Sequence, residues 1–284
     1  CGRYWFSGRG LQRIEVGKGL SRECRETRIL FGAPIPTGMN AGKPLYNAAI
    51  LMHRGEIVAT CPKSLLPSYD VFDEVRYFEP APEARTVPFK RETLGIHVCE
   101  DAWADRAFWG KRIPYKRNPI KILADKGATL LINISASPFH VGKEKIRHTL
   151  IQKHARAHHV PFIYVNQIGG NDELIFDGRS VALDEKGQPL TVFPAFQEHG
   201  EIVDTSEPGT TGGYTPMDEV ASVHEALILG VQDYMQKCGF SKAVVGLSGG
   251  IDSSLTCYLA AKALGADNVL GVSMPSPYSS EGSI

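Results

Sequence analysis

Residues 119–135, PIKILADKGATLLINIS, and 145–167, KIRHTLIQKHARAHHVPFIYVNQ, each carry a helix-like stretch into a short apolar, β-branched run. Two such units in succession predict strands interleaved with helices, an α/β fold. The alternation extends upstream through RILFGAPI (28–35), NAAILMHRGEIVATCP (47–62) and TLGIHVCED (93–101). Downstream, FDGRSVALDEKGQPLTVFP (176–194) predicts a meander turning at Lys186–Gly187, and residues 196–219 become polar and rich in Gly, Thr and Pro. That change of composition places a linker at 200–218, between a first domain of residues 1–199 and a second of 219–284. In the second, EVASVHEALILGVQDYMQKCG (219–239) recurs like an amphipathic helix and closes at Gly239. AVVGL (243–247), LTCYLAAKALG (255–265) and NVLGVSMP (268–275) then predict a β-α-β unit, with SGGIDSS (248–254) as its turn.

Charge and composition narrow the function classes. The 284 residues balance 31 basic against 31 acidic side chains, so net charge gives no reason to expect a nucleic-acid or membrane-surface partner. No run approaches the roughly 18 consecutive apolar residues of a membrane span, and the opening CGRYWFSGRGLQR has no signal-peptide core. A cytoplasmic protein is the default expectation. Cysteines at 1, 24, 61, 99, 238 and 257 form no C-x-x-C pair, which argues against a zinc ribbon or a dense disulfide framework. A first residue other than Met and an end at SSEGSI lead to the expectation of a fragment.

Chemistry-bearing residues gather at strand ends. Cys99 follows the run TLGIHV, where α/β proteins expose side chains at the carboxyl end of a strand. A lone cysteine there is more often a buried apolar residue than a nucleophile. Lys63, among apolar and proline residues, would lower the pKa of a neighbouring thiol if buried and is otherwise a solvated loop lysine. Gly246–Ser254, GLSGGIDSS, has the small residues and following helix of a pyrophosphate cradle. His154 and His158 sit one helical turn apart, but without an H-E-x-x-H pattern or a third ligand they do not make a metal site. The insertion at 104–119, with five basic and three aromatic residues, reads as a solvated or subunit-contacting loop rather than an RNA site.

Four motifs between residues 45 and 182 carry a resemblance: K-x-x-L-P-x-Y-x-V-F-D-E-x-R-Y-F, C-E-D-x-W, N-x-S-A-S-P-F-H-x-G-K and Y-V-N-Q-x-G-G-N-D-E-L-x-F-D-G-x-S. The chain resembles the glutaminase domain of glutamine-dependent NAD synthetases, a nitrilase-superfamily branch with an αββα sandwich. That resemblance implies a Glu-Lys-Cys triad in which Cys99 forms a thioester with the glutamine carboxamide and Lys63 holds thiolate and oxyanion. It also implies an oxyanion-hole donor in the Glu100 N–H, an orienting role for Glu74, and a glutamine pocket lined by Tyr69, Ser137 and Lys143. The triad base belongs to a P-E-L-x-x-x-G-Y context whose x-G end fits Cys1-Gly2, so it is expected just upstream of residue 1. Residues 3–28 do not align with the family, and neither Glu15 nor Glu23 lies in a matching motif.

The second half resembles the adenine-nucleotide α-hydrolase-like ATP pyrophosphatases through S-G-G-x-D-S, and the NAD synthetases through A-L-G-x-x-N-V-x-G-V-x-M-P-S-x-Y-S-S. A truncated, Rossmann-type parallel-sheet domain is therefore expected, with Gly246, Leu247, Ser248, Gly249, Gly250, Ile251, Asp252 and Ser253 binding ATP. Ser248 and Ser253 would donate to phosphate, and Asp252 would help place Mg2+ or the loop. The implied enzyme is a ligase that amidates deamido-NAD to NAD with glutamine-derived ammonia, giving AMP, pyrophosphate and glutamate. The resemblance also implies a homo-oligomer. A stand-alone nitrilase-type amidase and an inactive scaffold are the alternatives.

Overall fold

The computed structural model describes residues 14–23, 27–105, 115–275 and 277. A three-stranded antiparallel sheet comes first, from β1 (Arg28–Pro36), β2 (Leu45–His53) and β3 (Glu56–Pro62) in that order. A six-stranded sheet follows, ordered β11-β10-β7-β6-β5-β4. Its strands are β4 (Val87–Phe89), β5 (Glu92–Val98), β6 (Leu130–Ser135), β7 (Phe162–Asn166), β10 (Val181–Leu183) and β11 (Pro189–Val192). The β5, β6 and β7 centre is parallel, and antiparallel strands close both edges. Between β7 and β10 a hairpin of β8 (Ile168–Asn171) and β9 (Leu174–Asp177) stands apart from that sheet.

The three apolar clusters give the layering. Helix α1, over residues 14–23, brings Ile14 against Ala33, Ile50 and Met52 of the smaller sheet. Ala49, Leu51 and Cys61 meet Leu94, Ile96 and Val98 between the two sheets. Helices α2 (Pro119–Asp125) and α3 (Lys143–His158) cover the far face of the larger sheet, burying Ile120, Leu123, Leu150 and Ile151 on Leu131, Phe162 and Leu183. Helix, sheet, sheet, helix is the αββα sandwich expected above. Asn118 caps α2, accepting from Lys121 N at 3.1 Å with Pro119 at the first turn, so the chain enters the helix where the N–H is not needed.

After an irregular stretch, α4 (Glu219–Lys237) is capped by Asp218, which accepts from Ala221 N at 2.9 Å. It lies on the β8-β9 hairpin, where Asp233 Oδ2 accepts from Gly170 N at 2.7 Å and Lys237 bonds the Gly170 carbonyl. The last unit is parallel: β12 (Ala243–Leu247), α5 (Ile251–Leu264) and β13 (Val269–Ser273). Helix α5 begins at Ile251, so IDSS, read as turn from sequence, forms the first helical turn instead. Asp and Ser are good first-turn residues because they interact with free backbone N–H groups, so their turn-like composition also fits a helix start.

Candidate active site

Strand β5 ends in extended geometry at Val98, and Cys99 then takes a φ of +44° at the start of a 3-10 turn, Cys99–Ala102. A non-glycine residue in the left-handed region costs about 1–3 kcal/mol and persists only where its surroundings hold it. Here they do: Asn133 Nδ2 on β6 donates to the Cys99 carbonyl at 3.3 Å, and buried His154 meets the Ala102 carbonyl at 2.8 Å through Nε2. The half-buried thiol is thereby set at the carboxyl end of a central parallel strand.

Lys63, 1% exposed, follows β3 and directs Nζ to Glu74 Oε1 at 2.6 Å. Asn47 Nδ2 takes the other carboxylate oxygen at 3.1 Å. The lysine backbone is fixed on both sides, its N–H on Asn47 O and its carbonyl accepting from Ala81 N, each at 2.8 Å. Burial opposes the ammonium charge, yet Cys99, Glu74 and Asp101 together outweigh burial and raise the lysine pKa. Lys63 is thus a cation at neutral pH facing Cys99. The third acid, Asp101, is 1% exposed, and its carboxyl is pushed up to about 6 by burial against the pull of the Val98, Leu65 and Ser64 N–H groups and Lys63.

Around this centre lies a polar wall. Glu100 Oε1 accepts from Tyr69 Oη at 2.8 Å and Tyr115 Oη at 2.6 Å, and both phenols are held protonated, first by burial and then by that carboxylate. Lys143 opens α3 with Nζ 5.9 Å from the Trp103 ring centre. Its pKa is lowered by burial and by Arg147, although Cys99, Glu100 and Asp177 oppose that shift. Ser137 is buried with its N–H on Asn166 Oδ1 at 2.9 Å, and Asn166 Nδ2 donates to Gly178 O at 3.0 Å. Beneath them Arg147 makes a buried two-pronged pair with Asp177, one arm at 2.8 Å.

Cys99, Lys63, Glu74 and Lys143 therefore share one electrostatic neighbourhood, with Tyr69 joined to it through Glu100. Ser137 is tied to the hairpin root at Asn166. Sequence reasoning missed Asn47, Asn133, Asp101 and the Arg147–Asp177 pair as parts of the site. Asp101 stood inside the quoted C-E-D-x-W motif, and Asp177 inside the F-D-G motif, so the signal was position within a motif. Arg147 had none, because a charged residue on a helix reads as solvent-facing.

The second candidate site is the turn between β12 and α5. Ser248 N donates to Ser253 Oγ at 3.2 Å, the two hydroxyls lie 3.2 Å apart, and Ser253 and Ser254 hydroxyls donate to Gly250 O at 3.0 Å. Gly249 adopts φ +81°, open to glycine without strain, which lets the turn fold back onto the helix start. Gly246, Ser248, Gly249, Gly250, Ile251 and Asp252 are exposed, while Leu247 and Ser253 are partly covered. His154 Nε2 lies 2.8 Å from the Ala102 carbonyl, and among the described residues no three or more His, Cys, Asp or Glu side chains cluster together. Residues 1, 2, 106–114 and 278–284, which include the Cys1-Gly2 motif end and most of the basic insertion, lie outside the described residues.

A four-layer sandwich that presents a cysteine beside a buried lysine at its strand ends defines the class, a nitrilase-like α/β sandwich. The chain belongs to the carbon-nitrogen hydrolase family, whose model matches residues 11–205, and the NAD synthase model matches residues 223–284. The glutamine-dependent NAD(+) synthetase of Synechocystis sp. is 49% identical over 85% of this chain and 44% of its own length. That of Thermotoga maritima is 35% identical over 95% of this chain and 51% of its own. The chain thus spans about half the length of the curated relatives it matches. Among solved structures, the ADP-bound glutamine-dependent NAD+ synthetase of Acinetobacter baumannii superposes with a TM-score of 0.80 at 30% identity, over 96% of this chain and 50% of that one. A Helicobacter pylori carbon-nitrogen hydrolase shares the fold at TM-score 0.55 and 23% identity, over 66% of this chain and 64% of that one.

Proposed function

We propose that this chain is the glutamine-hydrolysing part, with the opening of the ATP-using part, of a longer glutamine-dependent NAD+ synthetase. The observation that carries the reading is the Cys99–Lys63–Glu74 centre in the same chain as the S-G-G-I-D-S turn, each within a region matching the corresponding family model. Residues 1–199 are read as the glutaminase domain, 200–218 as the linker and 219–284 as the beginning of the synthetase domain.

In that reading Cys99 Sγ attacks the glutamine carboxamide carbon, a general-base carboxylate takes the thiol proton and delivers it to the amide nitrogen, and ammonia leaves from the tetrahedral intermediate to give a thioester. Water then releases glutamate and restores the thiol. Lys63 stays protonated and neutralises thiolate and oxyanion, with the Glu100 N–H as the second oxyanion donor. Glu74, engaged by Lys63 and Asn47, orients the lysine. No P-E-L glutamate occurs in residues 1–284, so the base is assigned to none of these positions. Tyr69, Ser137 and Lys143 line the glutamine pocket, Lys143 meeting the substrate carboxylate. Its ammonium, lowered in pKa and set over Trp103, is a cation whose charge an arriving carboxylate would stabilise.

The ammonia passes to the second domain and displaces AMP from the adenylate of deamido-NAD, giving NAD. The mostly exposed turn Gly246–Ser253, with the start of α5, would turn N–H and O–H donors now bonded within the turn toward pyrophosphate. Mg2+ commonly takes one or two carboxylates together with substrate phosphates, and Asp252 fits as that carboxylate, the ion neutralising phosphate charge. A cytoplasmic place agrees with four unbridged described cysteines, and a homo-oligomer is the assembly proposed. No described helix is long and apolar enough to cross a membrane. The test is glutamine hydrolysis by the full-length protein and by Cys99→Ser, with mass spectrometry of the quenched wild type. A glutamyl adduct on the peptide containing Cys99 and loss of hydrolysis in the variant are expected; undiminished hydrolysis by Cys99→Ser would remove the assignment.

A further inference from the structure

Two segments far apart in sequence must meet for Lys63 to face Cys99: the loop after β3 and the turn after β5. One side chain joins them. Asp101 Oδ1 accepts from both Ser64 N at 2.9 Å and Leu65 N at 2.8 Å, while Oδ2 accepts from Val98 N at 3.1 Å. The three donors are the two residues that follow Lys63 and the one that precedes Cys99. A single carboxylate thus bridges the backbone on either side of the reacting pair, and at 1% exposure it has no water to exchange for those partners.

We propose that Asp101 is a positioning residue that staples the Lys63 loop to the Cys99 turn and so sets the distance from ammonium to thiol. The role rests on the glutaminase reading above only for the substrate, because the staple sets Lys63 against Cys99 whether or not substrate is bound. The chemistry asks for a carboxylate. Both oxygens must accept, and an amide of the same shape presents an N–H2 group to at least one backbone N–H. A longer acid keeps the charge but moves both oxygens outward.

The experiment compares wild type, Asp101→Asn and Asp101→Glu in the full-length protein by steady-state glutamine hydrolysis, thermal unfolding, and the rate of Cys99 alkylation by iodoacetamide without glutamine. For Asp101→Asn we expect kcat to fall about a hundredfold, the effect of a misplacement of about 1 Å. KM should stay within about twofold, since Tyr69, Ser137 and Lys143 are untouched. Cys99 alkylation should slow with kcat. Asp101→Glu should show the same split to a smaller degree, and it carries the comparison if the Asn variant does not fold. In a Lys63→Ala background, adding Asp101→Asn should leave the alkylation rate unchanged within about twofold, because a staple acting through Lys63 has nothing left to position. Wild-type kcat in both variants, a change confined to KM, or a full second loss of alkylation in the Lys63→Ala background would each overturn the proposal. Alkylation is read without substrate, so these results stand apart from whether glutamine is the amide hydrolysed.

Discussion

At the scale of single residues the site is a small set of buried polar groups, each held by partners that the fold brings from elsewhere. Lys63 is the clearest case, a lysine 1% exposed that is tolerable only because Glu74, Cys99 and Asp101 surround it. Lys63→Ala would leave Glu74 without its ammonium and Cys99 without its cation, and glutamine hydrolysis should drop at least about a hundredfold, roughly the weight of one preorganised charge. Steady-state assays at saturating glutamine check this. Buried and half-buried histidines set the response to acid. Burial pushes the His97 pKa down to about 3 and lowers those of His148, His154 and His158. The unfolded chain protonates these imidazoles near 6.5 while the folded chain resists, so it binds more protons and folding stability falls as pH drops from 6.5 toward about 3. Asp101 pulls the other way between its ordinary 3.8 and about 6, since there the folded chain holds the extra proton. Four histidines against one aspartate make the expected net effect a loss, read as a lower unfolding temperature at pH 5 than at pH 7.

At the scale of elements, room at glycines fixes how closely layers approach. A methyl on Gly95 in β5 would meet Leu131 Cδ2 at 2.8 Å and Ala128 Cβ at 3.0 Å. Gly95→Ala should therefore cost about 1–3 kcal/mol, the usual penalty of overpacking, in thermal or denaturant unfolding. On α4 a methyl on Gly230 would meet Ile175 Cδ1 at 2.9 Å, the free end of a flexible side chain. Gly230→Ala should cost about 1 kcal/mol or less, so comparing the two variants tests whether the rigid neighbour decides the penalty. The elements themselves were largely legible in the sequence. TLGIHV, TLLINIS and PFIYVN read as strands because buried parallel strands are nearly continuous apolar runs, and they were found as β5, β6 and β7. The β8-β9 hairpin was not read, because IGGNDEL carries two glycines and little alternation to mark a strand. The inward face of α3 was equally opaque: it buries Arg147, His148 and His154 beside Leu150 and Ile151, and polar residues in a core face hide the periodicity. Cys99, Lys63 and Glu74 stood in recognisable motifs. Of the residues that hold them, Asp101 and Asn133 stood inside quoted motifs without a role that a linear pattern displays, and Asn47, outside them, is chosen by three-dimensional proximity alone.

At the scale of the whole molecule, the first part sets Cys99 near the buried Lys63 within an αββα sandwich, and α4 leads from it through β12 into the Gly246–Ser253 turn. The helix is tied back to the β8-β9 hairpin by Asp233 and Lys237 on Gly170, and the root of that hairpin supplies Asp177 to Arg147 and abuts Asn166, the partner of Ser137. The proposed division of labour is that one half makes ammonia and the other consumes it, so the two activities should separate under mutation. Replacing Asp252 by Ala in the full-length protein should remove NAD formation from either nitrogen source while glutamine hydrolysis persists, measured by glutamate release. The most direct test of the central claim is NAD formation by full-length Cys99→Ala, supplied in parallel with glutamine and with ammonium. We predict loss of the glutamine-supported activity with the ammonium-supported activity within about twofold of wild type, a change that uncouples only the nitrogen source. Equal loss of both, or undiminished use of glutamine, would contradict the account.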